Sequence, residues 1–190
     1  MKRVLSIQDI SCIGKCSLTV ALPIISAMGI ETSILPTSIL STHTMFNDFT
    51  FRDLTDDMEP IKKHWQKEGF SFDAIYTGYL GSEKQISLVK DYFKTFGNTC
   101  KYIIVDPAMA DNGKLYSGFD KDFPLKMAKL CKYADVILPN ISEAAFMTGM
   151  PYPGENASNE CIKDLLLSLA KLGSKKIVIT GVESADHKFG

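Results

Sequence analysis

Five short, branched apolar runs in this chain each break off into residues that can do chemistry. Val4-Leu5-Ser6-Ile7 gives way to Gln8-Asp9, and Ala74-Ile75-Tyr76 to Thr77-Gly78-Tyr79-Leu80-Gly81-Ser82. Ile103-Ile104-Val105 gives way to Asp106-Pro107, Val136-Ile137-Leu138 to Pro139-Asn140-Ile141-Ser142-Glu143, and Lys176-Ile177-Val178-Ile179 to Thr180-Gly181. In an open parallel sheet such residues stand at the carboxyl ends of the strands, where ligands bind. A carboxylate at that rim can hold magnesium-bound water beside phosphate groups, since magnesium keeps several waters and takes few direct protein ligands. Tyr79 adds a flat face on which an aromatic ligand can stack.

Each motif also has a purely structural reading. Asn140 with Glu143 three residues on is a capping box. Asp106-Pro107 can simply end a strand, and Gly78 to Ser82 can be a turn followed by a helix N-cap. Ser41-Thr42-His43-Thr44 gathers hydroxyls and an imidazole, or is an ordinary solvated loop. Two catalytic signatures are excluded. Gly14-Lys15-Cys16-Ser17 is not a P-loop, because Asp9 stands where that motif needs glycine and Cys16 where it needs Ser or Thr. No Gly-x-Ser-x-Gly nucleophile elbow is present.

The elements that must position these residues alternate regularly. Helical stretches are expected over 18–28, 60–68, 82–96, 124–131, 141–148 and 160–172, with a further short strand over 32–35 after Gly29, a helix C-cap. Strands rich in β-branched residues without strict alternation point to a parallel sheet buried on both faces. The expected architecture is therefore α/β, a doubly wound, mostly parallel sheet flanked by helices, forming one domain over residues 1–190. Residues 38–57 and 109–123 break the rhythm and are expected as long loops of the kind that serve binding.

Bulk properties narrow the partners. With 45% apolar and 23% charged residues the chain is an ordinary globular one, and a net charge of -1 without a Lys/Arg block gives no footprint for nucleic acid or anionic membrane. The longest apolar stretch, 18–30, is interrupted by Thr19, Pro23 and Ser26 and falls short of the ~20 residues of a bilayer crossing. Met1-Lys2-Arg3 runs straight into a strand pattern rather than a signal peptide, so the expected location is cytoplasmic. The five cysteines form no Cys-x-x-Cys pair, and the three histidines have no metal-ligand spacing. His187, in the polar tail, is taken as incidental.

Taken together, Ile7-Gln8-Asp9, Ser41-Thr42-His43-Thr44, Gly78-Tyr79-Leu80-Gly81-Ser82, Asp106-Pro107-Ala108-Met109, Pro139-Asn140-Ile141-Ser142-Glu143 and Thr180-Gly181 resemble, in order, the motifs of the ribokinase-like superfamily. Within it the chain is most similar to the pyridoxal (vitamin B6) kinases. The resemblance implies transfer of the ATP γ-phosphate to the 5′-hydroxymethyl group of pyridoxal, pyridoxine or pyridoxamine, with Mg2+ and a monovalent cation such as K+, commonly in a homodimer. It implies that Asp9 and Thr44 contact the polar edge of the pyridine ring, Tyr79 packs on its face and Cys16 lines the pocket. Asp106, Asn140 and Glu143 would organise the magnesium and phosphate region, the two carboxylates largely through water, with Asp111 and Thr180 near the nucleotide phosphates.

The chain departs from that pattern in three ways. Asp9 stands where many pyridoxal kinases have serine, favouring protonated or amine-bearing ligands, and Ala108 replaces a common valine. The Gly-x-Gly-Asp segment that the resemblance places later in such kinases, with its general-base aspartate, has no match after Thr180-Gly181. The expectation is an α/β domain lacking its C-terminal part, with the base beyond Gly190 and no turnover unaided. A hydroxymethylpyrimidine kinase of thiamine synthesis and a non-catalytic vitamer-binding domain are the alternatives.

Overall fold

The structure, a computed structural model, describes residues 1–154 and 157–182. The expectation for His187 lies outside them. The chain forms two compact units, Met1–Ile103 and Ile104–Gly190.

In the first unit, β1 (Arg3–Ser11) pairs in parallel with β2 (Glu31–Leu40) on one side and with β4 (Ala74–Thr77) on the other. The short β3 (Phe51–Asp53) adds to β2 antiparallel. Helix α1 (Leu18–Ala27) connects β1 to β2 and packs on both. Helices α2 (Thr55–Lys67) and α3 (Glu83–Phe96) pack on each other. The strand order β3-β2-β1-β4 reverses direction at β1, because the chain lays β2 and β3 on one side and then returns on the other. Such a reversal opens a crevice at the strand carboxyl ends. Leu5 to Asp9 are all buried, as expected of a parallel strand covered on both faces.

Four expectations need correction here. The first strand does not stop before Gln8-Asp9 but runs on to Ser11, and its neighbour reaches Leu40 rather than Leu35. Pairing continues because the register slips: Gln8 faces Pro36, while Ile10 faces Ile39, leaving Thr37 and Ser38 opposite Asp9. Pro36 has no N–H to donate, and a bulge is how a strand accommodates that. The expected loop over 38–57 accordingly holds the end of β2, all of β3 and the start of α2. That helix begins at Thr55, not Pro60, because the Asp53 carboxylate accepts the Thr55 N–H at 2.7 Å and the first turn is acidic.

The second unit begins within β5 (Tyr102–Val105); β5, β8 (Val136–Ile137) and β9 (Lys176–Ile177) pair in parallel in that order, with Ile104 facing Val136 and Ile137 facing Ile177. Helix α5 (Ile141–Thr148) packs against α4 (Phe123–Cys131) and α6 (Asn159–Ala170). The expected loop after Met109 contains a hairpin, β6 (Ala110–Asp111) and β7 (Lys114–Leu115). Asn112 and Gly113 turn it with φ of 49° and 70°, the pair of positive values a two-residue type I′ turn requires. Val105, Met109, Met127, Ile137 and Leu169 form the buried core of this unit.

Candidate binding clusters and the family

In the first unit, Asp9 is 4% exposed inside β1, at the strand-order reversal. The Ser11 hydroxyl donates to its Oδ2 at 3.4 Å, while Oδ1 is buried and, among the described residues, has no hydrogen-bond partner within bonding distance. Burial raises its pKa above the ordinary aspartate value, partly countered by the Ser17 hydroxyl, its own amide and Ser11. Tyr79 follows β4, half-buried, and its phenol is pushed up by burial and then by the negative charges of Asp9 and Asp53. Asp9 and Tyr79 therefore share one electrostatic neighbourhood. The turn bearing Tyr79 starts at Gly78, whose N–H donates to the Ile7 carbonyl at 3.0 Å. A Cβ at Gly78 would stand 3.0 Å from three atoms of the Gln8 side chain, so any side chain there would require Gln8 to shift by a few tenths of an ångström.

Cys16 and Thr44 lie on two loops. Cys16 is half-buried in residues 12–17, the loop whose Ser17 reaches Asp9. Thr44 is exposed in the loop after β2, and among the described residues no hydrogen bond ties it to Asp9. The loops meet where Gly14, at φ 120°, packs on His43; a Cβ there would come within 2.6 Å of the imidazole Cδ2. His43 in turn meets Phe46 edge-on, with ring centroids 4.9 Å apart.

In the second unit the capping box is present in full: Asn140 Oδ1 accepts from the Glu143 N–H at 2.9 Å, and Glu143 Oε2 accepts from the Asn140 N–H at 2.8 Å. Glu143 Oε1 also accepts from the Met109 N–H at 3.1 Å, and the Asn140 amide donates to the Ala110 carbonyl at 2.8 Å. Ser142, just inside the helix, accepts from the Gly113 N–H at 2.8 Å. The hairpin that bears Asp111 is thus bonded to the start of α5. Asp111 itself is exposed and accepts from the Asn112 amide groups, and Thr180 bridges to Asn140 with its N–H on the Pro139 carbonyl at 2.9 Å.

Glu143 is 2% exposed. Burial pushes its pKa up to about 8, the charge of Asp106 pushes the same way, and the backbone amides pull back. The Cys131 thiol, pushed up to about 12, feels burial first and then Glu143 and Asp106. Asp106 and Glu143 are therefore close enough to repel, which a cation relieves. Both Glu143 oxygens already accept backbone amides, and among the described residues no three His, Cys, Asp or Glu side chains gather to hold a metal directly. This donor set fits Mg2+ held through its own waters, and does not fit a cage of direct protein ligands.

One residue escaped the motif reading. Ser82-x-x-Gln85 is a capping-box pattern, and Ser82 does cap α3, accepting from the Gln85 N–H at 3.3 Å. The Gln85 side chain, however, turns to the Gly81 N–H, at 2.8 Å.

Comparison with known proteins bears out the resemblance. The family model described as phosphomethylpyrimidine kinase matches residues 31–189. A Bacteroides thetaiotaomicron protein assigned as a phosphomethylpyrimidine kinase and solved with pyridoxal is 42% identical, covers 97% of this chain and superposes with a TM-score of 0.91. The pyridoxal kinase of Lactobacillus plantarum is 35% identical over 98% of the chain, with a TM-score of 0.88. The pyridoxal kinase of Actinobacillus pleuropneumoniae is 26% identical over 94% of the chain. The chain spans 64%, 66% and 63% of the lengths of these three proteins. The chain belongs to the phosphomethylpyrimidine kinase family, with the mostly parallel α/β fold of the ribokinase-like pyridoxal kinases.

Proposed function

We propose that this chain is part of an ATP-dependent kinase that phosphorylates the 5′-hydroxymethyl group of pyridoxal, pyridoxine or pyridoxamine. The observation that carries the reading is Asp9, a buried carboxylate with one unpaired oxygen, beside Tyr79 at the reversal of the strand order. A desolvated carboxylate next to an aromatic face suits a flat, protonated or amine-bearing heteroaromatic ring. Further support comes from relatives: the Bacteroides protein was solved with pyridoxal although assigned as a phosphomethylpyrimidine kinase, and the other two are pyridoxal kinases.

In this proposal Tyr79 and Asp9 hold the ring by face and edge, Thr44 adds a hydroxyl to the polar edge and Cys16 forms part of the wall. Asp106 and Glu143 hold Mg2+ through water, and the magnesium neutralises charge on the transferring phosphoryl group. Asn140, Thr180 and Asp111 orient the phosphates of ATP, and K+ supplements the positive charge. Positioning and neutralisation are most of what phosphoryl transfer asks of a protein. Residues 1–190 act as one ribokinase-like domain, a reading supported by structural matches that run across 97% of the chain.

The competing substrate is a hydroxymethylpyrimidine, the unphosphorylated counterpart of the phosphomethylpyrimidine for which the family model is named. Calorimetric titration of the 190-residue protein separates the two. Pyridoxal or pyridoxamine is expected to bind at least about tenfold more tightly than the pyrimidine alcohol, a difference of about 1.4 kcal/mol. Tighter binding of the pyrimidine overturns the assignment.

The proposed assembly is a cytoplasmic homodimer. Helix α1 buries only Leu18 and leaves Ile24 55% exposed; Met28, just past its end, is 72% exposed, and Ile34 and Ile39 of β2 are also in the open. An apolar surface of this kind suits a second copy. Light scattering is expected to give twice the chain mass of 21.0 kDa for the wild type and the single mass for Ile24→Asp. A wild-type monomer contradicts this.

A further inference from the structure

The turn that carries Tyr79 is held by one buried side chain. Gln85, in the first turn of α3, is 1% exposed. Its Oε1 accepts the Gly81 N–H at 2.8 Å. Its Nε2 donates to the Thr37 carbonyl and to the Thr55 hydroxyl, each at 2.9 Å, and also lies 3.3 Å from Asp53 Oδ1. An amide nitrogen has two hydrogens, so Thr37 and Thr55 take them and Asp53 shares. The Thr55 hydroxyl passes its own hydrogen on to Asp53.

Thr37 closes the circuit. Its hydroxyl donates to the Tyr79 carbonyl at 3.3 Å, while its carbonyl takes the Gln85 amide and the Leu54 N–H. Gly81 lies against the Tyr79 ring: a Cβ there would be 3.5 Å from both Cε1 and the phenolic oxygen. Gln85 therefore fixes the turn on both sides of the ring, through Gly81 after it and through Thr37 to the Tyr79 carbonyl. The length of glutamine and its paired donor and acceptor match these partners, whereas a capping box would use only its side-chain oxygen, on the Ser82 N–H, and would leave the amide nitrogen without a role.

We propose that Gln85 is a positioning residue for the ring-binding cluster: it sets the angle of the Tyr79 face, and hence ligand affinity, without touching ligand. The inference rests on the reading of Asp9 and Tyr79 as a vitamer site. A side chain locked by packing and hydrogen bonds is what keeps a binding face preorganised, and looseness in that support is read as lost affinity.

The test compares Gln85→Met with Tyr92→Phe on the same helix. Tyr92 is also buried and donates to the Met58 carbonyl at 2.6 Å, so its loss destabilises α3 without reaching the turn. Pyridoxal affinity is measured by calorimetry well below both melting temperatures, with hydrogen exchange at the Gly81 amide. Gln85→Met is expected to weaken pyridoxal binding about tenfold and to speed Gly81 exchange, while Tyr92→Phe does neither. Adding Gln85→Met to Tyr79→Ala is expected to cost little more than Tyr79→Ala alone, since Gln85 acts through the ring face that Tyr79→Ala removes. Wild-type affinity in Gln85→Met, or an equal loss in Tyr92→Phe, overturns the proposal. Should Gln85→Met not fold, Thr37→Val removes the hydroxyl on the Tyr79 carbonyl and is expected to show the same pair of changes, smaller; neither change overturns the proposal. If wild-type protein binds no pyridoxal, the substrate reading fails and with it the affinity arm. Gly81 exchange then decides whether Gln85 holds the turn.

Discussion

Glu143→Leu is expected to lower the melting temperature by roughly 5–15 °C, the largest stability loss foreseen for any single substitution in the second unit. The side chain is buried, and its two oxygens accept the Asn140 and Met109 amides, which leucine would leave unpaired. An orphaned buried donor costs about 1–3 kcal/mol, and the apolar replacement recovers part of that by removing a desolvated carboxyl, for a net loss of about 2–4 kcal/mol. The loss should depend on pH. The unperturbed glutamate value is 4.5, whereas in the folded protein the proton is held up to about 8. Between these values the native state binds more protons than the unfolded one, so wild-type stability falls as pH rises through that window. The leucine variant lacks this dependence, and the gap between the two proteins is expected to be widest near pH 5 and to narrow toward pH 8. Thermal melts at both pH values check it. A gap that widens with pH contradicts the assigned burial.

At Asp9 the expected signature is the opposite: function lost, stability kept. Asp9→Asn keeps the shape and removes the charge, so it is expected to weaken pyridoxal binding at least about tenfold, the scale of one charge-assisted hydrogen bond. The carboxylate is buried with Oδ1 unpaired, and its pKa is raised by burial. Its charge therefore costs stability at neutral pH, where the unfolded chain has released the proton freely and the native state releases it reluctantly. The asparagine variant should melt at or above the wild-type temperature, with the advantage growing as pH rises above the ordinary aspartate value of 3.8. Calorimetry and thermal melts on the same samples decide the matter. A lower melting temperature with affinity intact would make Asp9 a structural residue.

These two residues also show what the sequence could and could not disclose. The capping box at Asn140 and Glu143 is local, three residues apart, and helix α5 falls at 141–148 as its pattern demands. The helices from Leu18 and to Phe96 and Cys131 follow for the same reason, since their apolar spacing and caps lie within a few residues. Asp9 was legible as a polar residue among apolar ones but not as part of the strand. Its place depends on the register slip that follows Pro36, the partner of Gln8 and 28 positions from it along the chain by their numbers. The hairpin turn at Asn112-Gly113 did carry a local signal, but strands of two residues leave no periodicity to flank it. Gln85 was hidden for another reason. Its main chain obeys the capping pattern while its side chain serves partners 48, 30 and 4 residues distant, which spacing along the chain cannot reveal.

In the proposed function the Asp9–Tyr79 cluster binds the ring of a B6 vitamer. A crystal structure of this chain grown with pyridoxal tests it most directly. The predicted result is the pyridine ring lying on the Tyr79 side chain, with its polar edge on the Asp9 carboxylate. A ring bound elsewhere, with Tyr79 and Asp9 unengaged, would contradict it.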